Sequence, residues 1–470
     1  MFEAVSSPST EVLRDWLCRL AGPVEAEASD GDLVDQIEVL ERLKAGCAAR
    51  QARLAVVFEE SQRAAQVAAG VPAGRVGRGV GEQVALARRE SPSRGSRHLG
   101  FAKALVGEMP ATLAALAVGD VSEWTATLVV QETACLAVED RRAVDAELAG
   151  RLGSMGPARA RAAAWAAACR LDPASAVARS RRAVSERRVS LRPAPDTMTY
   201  LTALLPVRDG VAVYAALDAA GATARAAGDG RGRGQVMADT LVQRLTRPAV
   251  AGAAEANAAS AAVEVHLVMS DETLLRGGAA PGLLTSDLSG SNTAADLVPA
   301  PVARDLVRHA ATVWVRRLYA DPASGQLVAM ESTRRVFEGN LRRMLILRDQ
   351  TCRTPWCEAP IRHGDHVRPA AAGGPTSLRN GHGLCERCNH TKSLPGWAAT
   401  VVTGTAEHSV RLRTPTGHTY DSTAPPLPIA APRLAVSPPL LRAHRPRGPD
   451  RRSPERRSGD RADNETAYAS

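Results

Sequence analysis

Two pairs of cysteines in the C-terminal third of the chain constrain its structure more than any other feature. Four residues separate Cys352 from Cys357, two separate Cys385 from Cys388, and 27 residues lie between the pairs. Zn²⁺ prefers four tetrahedral ligands, and a C-x-x-C turn places two thiolates on one side of the ion. The spacing therefore predicts a structural zinc site, and the alternative is a set of free or redox-active thiols.

The composition favours packed helices. The chain has 470 residues, of which 45% are hydrophobic but only 3% are aromatic. A core must therefore consist mainly of Ala, Leu and Val, and Ala and Leu are good helix formers. A chain of this length normally folds into two or three domains.

Neither a secretory signal nor a membrane span is apparent. The first residues lack a basic segment followed by an apolar run, and no stretch approaches the roughly 20 apolar residues of a spanning helix. We expect a cytoplasmic protein without membrane association, in which paired cysteines stay reduced and bind metal. The isolated cysteines are expected to be small buried hydrophobes: Cys18, Cys47, Cys135 and Cys169.

A long helical domain is predicted for residues 30–300, after a lead-in at residues 1–29. Its first helix carries apolar residues at spacings of three, four and seven, which indicate one packed face: Leu33, Ile37, Leu40, Cys47 and Leu54. Helices are predicted to continue to residue 188. The β-branched runs 197–205 and 263–269 then predict strands, with helices at 211–227 and 235–245 between them.

The remainder divides into four shorter parts. A connector is predicted at residues 301–340. A helix at residues 299–311 overlaps its start, and candidate strands follow at 314–320 and 326–330. Residues 341–400 form the cysteine-containing module, which begins with a helix at 340–349. A short extension at 401–424 follows. Residues 425–470 are rich in Pro and Arg without periodicity, which predicts a disordered basic tail.

Between the cysteine pairs lies a second set of side chains. Asp365 and His366 fall on a predicted short strand, Asn380 on the returning arm, and Asn389 on a helix predicted at residues 384–392. Carboxylate and amide oxygens suit a hard divalent cation, and an imidazole suits a general base near neutral pH. The set indicates metal-dependent phosphodiester hydrolysis, with Asn380 fixing the loop or orienting the histidine.

Basic residues are concentrated around this set. The chain carries a net charge of +9, and residues 341–400 hold nine Lys or Arg against four Asp or Glu. Four of them are candidate contacts to the phosphates of DNA, although each is equally consistent with a solvated surface charge: Arg368, Arg379, Arg387 and Lys392.

The segments DHVRP, GGPTSLRN and LCERCNHTK resemble the HNH endonuclease family. This resemblance implies a ββα-metal motif that acts on DNA. It implies that His366 is the general base, that Asp365 and Asn389 hold a catalytic Mg²⁺ or Mn²⁺, and that Asn380 is the central asparagine. It also places the four cysteines in the zinc-stapled subgroup. Asn389 stands where the third signature residue is otherwise His, a variant that the family also uses.

The upstream region resembles the domain of unknown function 222, which precedes HNH modules in actinobacterial proteins of the 13E12 repeat family. The similarity lies in the runs GVGEQVALARRESPSRGSRHLGFAKALVGEMPATLAALAVGD and PDTMTYLTALLPVRDGVAVYAALDAAG. It implies an architecture rather than a chemistry. The expected fold is a mainly α N-terminal domain with a small mixed α/β section, followed by a zinc-stapled ββα-metal module.

Two alternatives remain open at this stage. The module can be a non-catalytic, zinc-stapled DNA-binding unit with a vestigial nuclease site. Alternatively, the helical domain is the functional part, as a regulatory element or a dimerisation element through which the chain forms homo-oligomers.

Overall fold

The computed structural model describes residues 7–24, 28–196, 198–246, 265–288, 291–292, 296–310, 313, 337, 339–405 and 407–426. The strands predicted at 314–320 and 326–330 lie outside these residues, as does the predicted tail beyond residue 426.

The segment 10–185 is helical, as the composition predicts. Its helices are α1 (Thr10–Leu20), α2 (Asp30–Ala68), α3 (Val80–Arg88), α4 (Pro92–Glu108), α5 (Pro110–Val118), α6 (Glu123–Glu132), α7 (Val138–Leu148), α8 (Pro157–Leu171) and α9 (Pro173–Ser185). Ser29 caps α2 through a capping box with Asp32, which satisfies exposed amides at the helix start. One hydrophobic core joins α2 to α4–α8 and includes the fully buried Leu105, Met109 and Leu116.

The predicted apolar face of α2 is wrong. Ile37 and Leu54 are exposed, and the buried residues are mainly alanines: Ala45, Ala48, Ala49, Ala52 and Ala55. Small side chains allow neighbouring helices to approach closely, so the alanine face packs inward and the larger residues remain outside.

The isolated cysteines also differ from expectation. Cys18 and Cys47 are exposed, while Cys135 and Cys169 are half-buried. Cys135 packs against the margin of the core, while alanines occupy many of its fully buried positions.

Helices α3 and α4 pack closely against each other. A Cβ atom at Gly95 would overlap the carbonyl oxygen of Gly81 and the side chain of Ala85. Gly95 therefore permits a backbone approach that a larger residue would prevent.

The middle of the chain mixes strands and helices. Its elements are β1 (Arg188–Ala194), β2 (Met198–Leu204), α10 (Val207–Ala226), α11 (Arg233–Thr246), β3 (Val265–Val268), α12 (Asp271–Leu275), β4 (Gly282–Leu288), β5 (Ser291–Asn292), β6 (Asp296–Val298) and α13 (Ala300–His309). The predicted strands at 197–205 and 263–269 correspond to β2 and β3. Strand β1, an antiparallel partner of β2, begins where the helical pattern was expected to end.

The C-terminal module contains α14 (Gly339–Asp349), β7 (His363–His366), β8 (Gly381–Leu384), α15 (Glu386–Lys392), β9 (Ala398–Val402), β10 (Ser409–Arg413) and β11 (Thr419–Thr423). Strands β7 and β8 form an antiparallel hairpin, and α15 follows β8 directly. The segment predicted as an extension folds into the antiparallel sheet β11-β10-β9.

None of the described helices is by itself long and apolar enough to cross a membrane. Helices α4 and α5 pass such a test only when taken together across their 109° bend.

Candidate metal centre

Four cysteine sulfur atoms meet at one buried point of the module. The Sγ atoms of Cys352, Cys357, Cys385 and Cys388 all lie within 4.8 Å of one another. Cys357 Sγ lies 3.8 Å from Cys385 Sγ and 3.6 Å from Cys388 Sγ. A tetrahedron of Zn–S bonds of about 2.3 Å has edges of about 3.8 Å, whereas a disulfide requires about 2.05 Å. The donor set therefore fits a structural zinc ion, in agreement with the spacing of the cysteines.

Local backbone geometry builds this site. Trp356 and Glu358 adopt positive φ angles of 58° and 51°, which turn the chain sharply around Cys357. On the other side, Cys385 is the N-cap of α15, and the amide of Cys388 donates to its sulfur at 3.4 Å. An amide at a helix N-terminus favours the thiolate form of Cys385.

The thiols influence one another strongly. Hydrogen bonds from Cys352, Cys357 and Cys388 hold the pKa of Cys385 far below its usual range. Hydrogen bonds with Cys352, Cys357 and Cys385, together with burial, raise the pKa of Cys388. A thiol cluster of this density favours a bound cation, because only a positive charge stabilises several thiolates together.

A buried carboxylate connects the zinc site to the β-hairpin. Asp349 is 1% exposed and accepts from Arg348 Nε at 2.7 Å, Arg353 Nη1 at 3.2 Å and the Gly383 amide at 2.6 Å. Arg353 also donates to Ser422 Oγ at 3.1 Å, which joins β11 to the same network. The network fixes α14, β8 and the C-terminal sheet around the site.

His366 ends β7 and is 7% exposed. Its Nε2 lies 2.8 Å from the hydroxyl oxygen of Thr376, and its Nδ1 lies 4.0 Å from Asp365 Oδ1. The ring also packs 4.8 Å from that of Phe337. These contacts fix the imidazole plane and leave Nδ1 on the side of Asp365.

Asp365 lies beside His366 and faces Lys392 of α15. The Lys392 ammonium donates to Asp365 Oδ2 and to the carbonyl oxygen of His366. Its Nζ lies 3.4 Å from His382 Nε2, and the side chain is only 10% exposed. Burial and the charge of Lys392 lower the pKa of His382 well below its usual value, so this imidazole stays neutral.

Asn380 lies immediately before β8 and holds a loop. Its Oδ1 accepts from the Arg368 amide at 2.9 Å, and its Nδ2 donates to the carbonyl oxygens of Arg368 at 3.0 Å and Pro375 at 2.8 Å. Of the two roles expected for Asn380, the geometry corresponds to fixing the loop. That loop also contains Thr376, the partner of His366.

Asn389 lies on α15, directly after Cys388. Its Oδ1 is buried and finds no hydrogen-bond partner among the described residues. A buried amide oxygen without a donor is unfavourable by about 1–3 kcal/mol. An oxygen ligand of this kind suits a hard divalent cation, so the residue types at Asp365 and Asn389 fit such an ion.

The four basic candidates occupy different environments. Arg368 and Arg379 are exposed. Arg387 instead pairs with Glu82 of α3 at 2.6 Å and contacts Ser96 of α4, whereas Lys392 is enclosed beside Asp365. The structure therefore brings Lys392 into the site itself rather than to its surface.

Three contributors were not anticipated from the sequence: Asp349, Thr376 and His382. His382 is buried against Lys392. Its Cα lies opposite that of Asp365 in the β7–β8 register. This cross-strand pairing could have indicated that His382 lies next to Asp365. Asp349 and Thr376 carried no signal, because their partners come from other elements.

Comparison with protein families agrees with this geometry. Residues 350–393 match the family model of HNH endonuclease, so the module belongs to a nuclease class. Residues 36–349 match the model described as Domain of unknown function (DUF222). Because this match covers more than half of the chain, the chain belongs to the DUF222 family, and its HNH domain follows directly. Both expected resemblances are thereby confirmed. No curated protein and no solved structure matches the chain.

Proposed function

We propose that the chain is a metal-dependent endonuclease that hydrolyses phosphodiester bonds of DNA. This proposal is carried by Asn389 Oδ1, which is buried without a hydrogen-bond partner in the part of the chain that the structure describes. Asn389 lies on the helix that also bears Lys392, the partner of Asp365. A purely structural zinc module has no need of a buried oxygen ligand without a donor. The match to the HNH endonuclease model supports the same chemistry.

His366 is the proposed general base. Thr376 Oγ1 lies 2.8 Å from Nε2 and can accept a hydrogen bond from Nε2–H, the tautomer in which the lone pair is on Nδ1. Nδ1 lies on the side of Asp365, so it can take a proton from a water molecule held there. Thr376 is a positioning residue in this scheme, because it selects the tautomer.

Asp365 and Asn389 would hold the catalytic Mg²⁺ or Mn²⁺. When bound, such an ion neutralises phosphate charge and stabilises the leaving oxygen. Lys392 orients the Asp365 carboxylate through its hydrogen bond, and Asn380 keeps the loop that carries Thr376 in place. The thiolates of the four cysteines would hold zinc, which maintains the fold of a module with a small core.

Arg368 and Arg379 are the proposed phosphate contacts, because both are exposed beside the loop that Asn380 holds. They would position DNA without reading its sequence.

The domain boundaries, a cytoplasmic location and homo-oligomerisation remain predictions.

Cleavage of supercoiled plasmid with added Mg²⁺ or Mn²⁺ tests the proposal. Wild type should nick the plasmid, and His366→Ala should lower the rate by about 10²–10⁴-fold. His363→Ala is a matched control, since it removes an imidazole from the same strand, and it should cleave at nearly the wild-type rate. Equal cleavage by wild type and His366→Ala would refute the assigned base. No cleavage by either, with zinc bound, would support a non-catalytic DNA-binding module.

A further inference from the structure

The helical domain contacts the module through the back of α15. Glu82 of α3 pairs with Arg387, with Nε at 2.7 Å and Nη2 at 2.6 Å from the same carboxylate oxygen. Arg387 also donates to the hydroxyl of Ser96 on α4. The two interacting segments are about 300 residues apart in the sequence, so the contact is a tertiary one between the two family-matched regions.

Further contacts surround this ion pair. A Cβ at Gly79, just before α3, would lie 3.0 Å from Trp397 Nε1 and 3.1 Å from Leu394 Cδ1. Thr416 donates to Gln83 Oε1 at 3.1 Å. Gly79 has a φ of 84°, so a glycine is favoured there on both conformational and steric grounds. The contact is therefore closely packed at the N-cap of α3 and includes a hydrogen bond to its first turns.

The same contact borders a small, partly open pocket of about 30 Å³. Leu86 of α3 lines it from the helical domain, and Leu384 and Trp397 line it from the module. Cys388 and Lys392 of α15 also reach this pocket. The zinc site and the lysine beside Asp365 thus share a wall with the helical domain.

Helix geometry relates this contact to the candidate metal ligands. Successive residues of an α-helix are about 100° apart, so Arg387 and Asn389 point to nearly opposite sides of α15. The side that carries Arg387 contacts α3 and α4. Fixing one side of a short helix fixes the direction of the other.

We propose that α3 and α4 form a docking platform that positions α15, and that Glu82 is a positioning residue for the metal site. This inference rests on the proposed nuclease function. It gives the DUF222 region a role in aligning Asn389 and Lys392 with Asp365. The alternative assignment, in which Arg387 contacts phosphate, makes a different prediction for Glu82. In that case removal of Glu82 would free Arg387 and strengthen DNA binding.

A charge-reversal cycle in the full-length, zinc-loaded chain distinguishes these roles. Glu82→Arg and Arg387→Glu should each lower kcat by about tenfold or more, with little change in KM. The double variant restores the opposite charges and should return kcat to within about threefold of wild type. Glu60→Arg, an exposed reversal on α2, controls for net charge and should leave kcat unchanged.

Hydrogen exchange of the α15 amides is measured on the same proteins. Each single reversal should lower their protection, and the double variant should recover it. Unchanged protection and kcat in Glu82→Arg would overturn the proposal. A rise in KM for Arg387→Glu without rescue in the double variant would also overturn it, in favour of a phosphate contact. If wild type cleaves no DNA, the nuclease function fails, but the exchange cycle still decides whether the platform holds α15.

Discussion

Truncation of Asp349 should lower the free energy of unfolding of the module more than the loss of any exposed ion pair would. The carboxylate accepts hydrogen bonds from Arg348 Nε at 2.7 Å and Nη2 at 3.0 Å, from Arg353 at 3.2 Å and from the Gly383 amide at 2.6 Å. Arg348 and Arg353 are both buried, each with 4% of its surface exposed. Asp349→Ala would leave these charges buried without a counter-charge.

The magnitude follows from the burial. Removing one partner of a buried ion pair costs about 3–5 kcal/mol. Arg348 keeps hydrogen bonds to the carbonyl oxygens of Leu378 and Gly381, which offset part of the loss. Burial already lowers the pKa of Arg353, and the charge of Asp349 opposes that shift. We expect a loss of about 4 kcal/mol, or roughly a thousandfold in the folding equilibrium.

Urea unfolding of the module measures this loss, with the release of zinc to a chromophoric chelator as the signal. Asp421→Ala is the matched control, because Asp421 forms an exposed ion pair with Arg411 at 2.7 Å. An exposed pair contributes about 0–1 kcal/mol, so the control should unfold nearly as wild type does. A loss for Asp349→Ala no larger than that for Asp421→Ala would refute the reasoning.

Three further changes have defined outcomes. Cys388→Ser should abolish binding of one zinc per chain and make the module susceptible to proteolysis, as metal analysis and limited digestion would show. Gly374→Ala should lower the cleavage rate about tenfold or more, because the new Cβ would overlap the carbonyl oxygen of Arg368 and lie 2.7 Å from Asn380 Nδ2. Burial, with the charge of Arg88, lowers the pKa of His98 to about 4, so the unfolded chain binds the extra proton first as pH falls. Above pH 6.5 His98 is neutral in both the folded and the unfolded chain, so its titration does not lower the free energy of unfolding. Toward pH 4 that free energy decreases by up to about 3 kcal/mol. Thermal unfolding of His98→Gln should show a weaker pH dependence over that range.

The module was predictable because its ligands are local in sequence. The spacing of Cys385 and Cys388 determines their geometry within one helix turn, and Asn389 follows directly. The strand, loop and helix that carry Asp365, Asn380 and Asn389 are consecutive. Their residue types alone indicate which metal each set prefers.

Long-range partners were not predictable in the same way. The sequence offers no signal that Arg387 pairs with Glu82, because a charge on an exposed-looking helix face fits solvent equally well. The inward face of α2 consists mainly of alanines. Because alanine is less hydrophobic than isoleucine, a hydrophobic pattern points to Ile37, which is exposed. Strands β9 to β11 are only five residues each, and their pairing depends on contacts across the module.

The most direct test measures the rate of DNA cleavage as a function of Mn²⁺ concentration, with zinc held at one per chain, for wild type and Asn389→Ala. On the proposed assignment, Asp365 and the buried Oδ1 of Asn389 would together hold the ion, so cleavage by wild type should require Mn²⁺ and saturate. Asn389→Ala should need at least about tenfold more Mn²⁺ for half-maximal rate. Cleavage that is independent of Mn²⁺, or equal half-saturation in the two proteins, would contradict a divalent-ion site at Asp365 and Asn389.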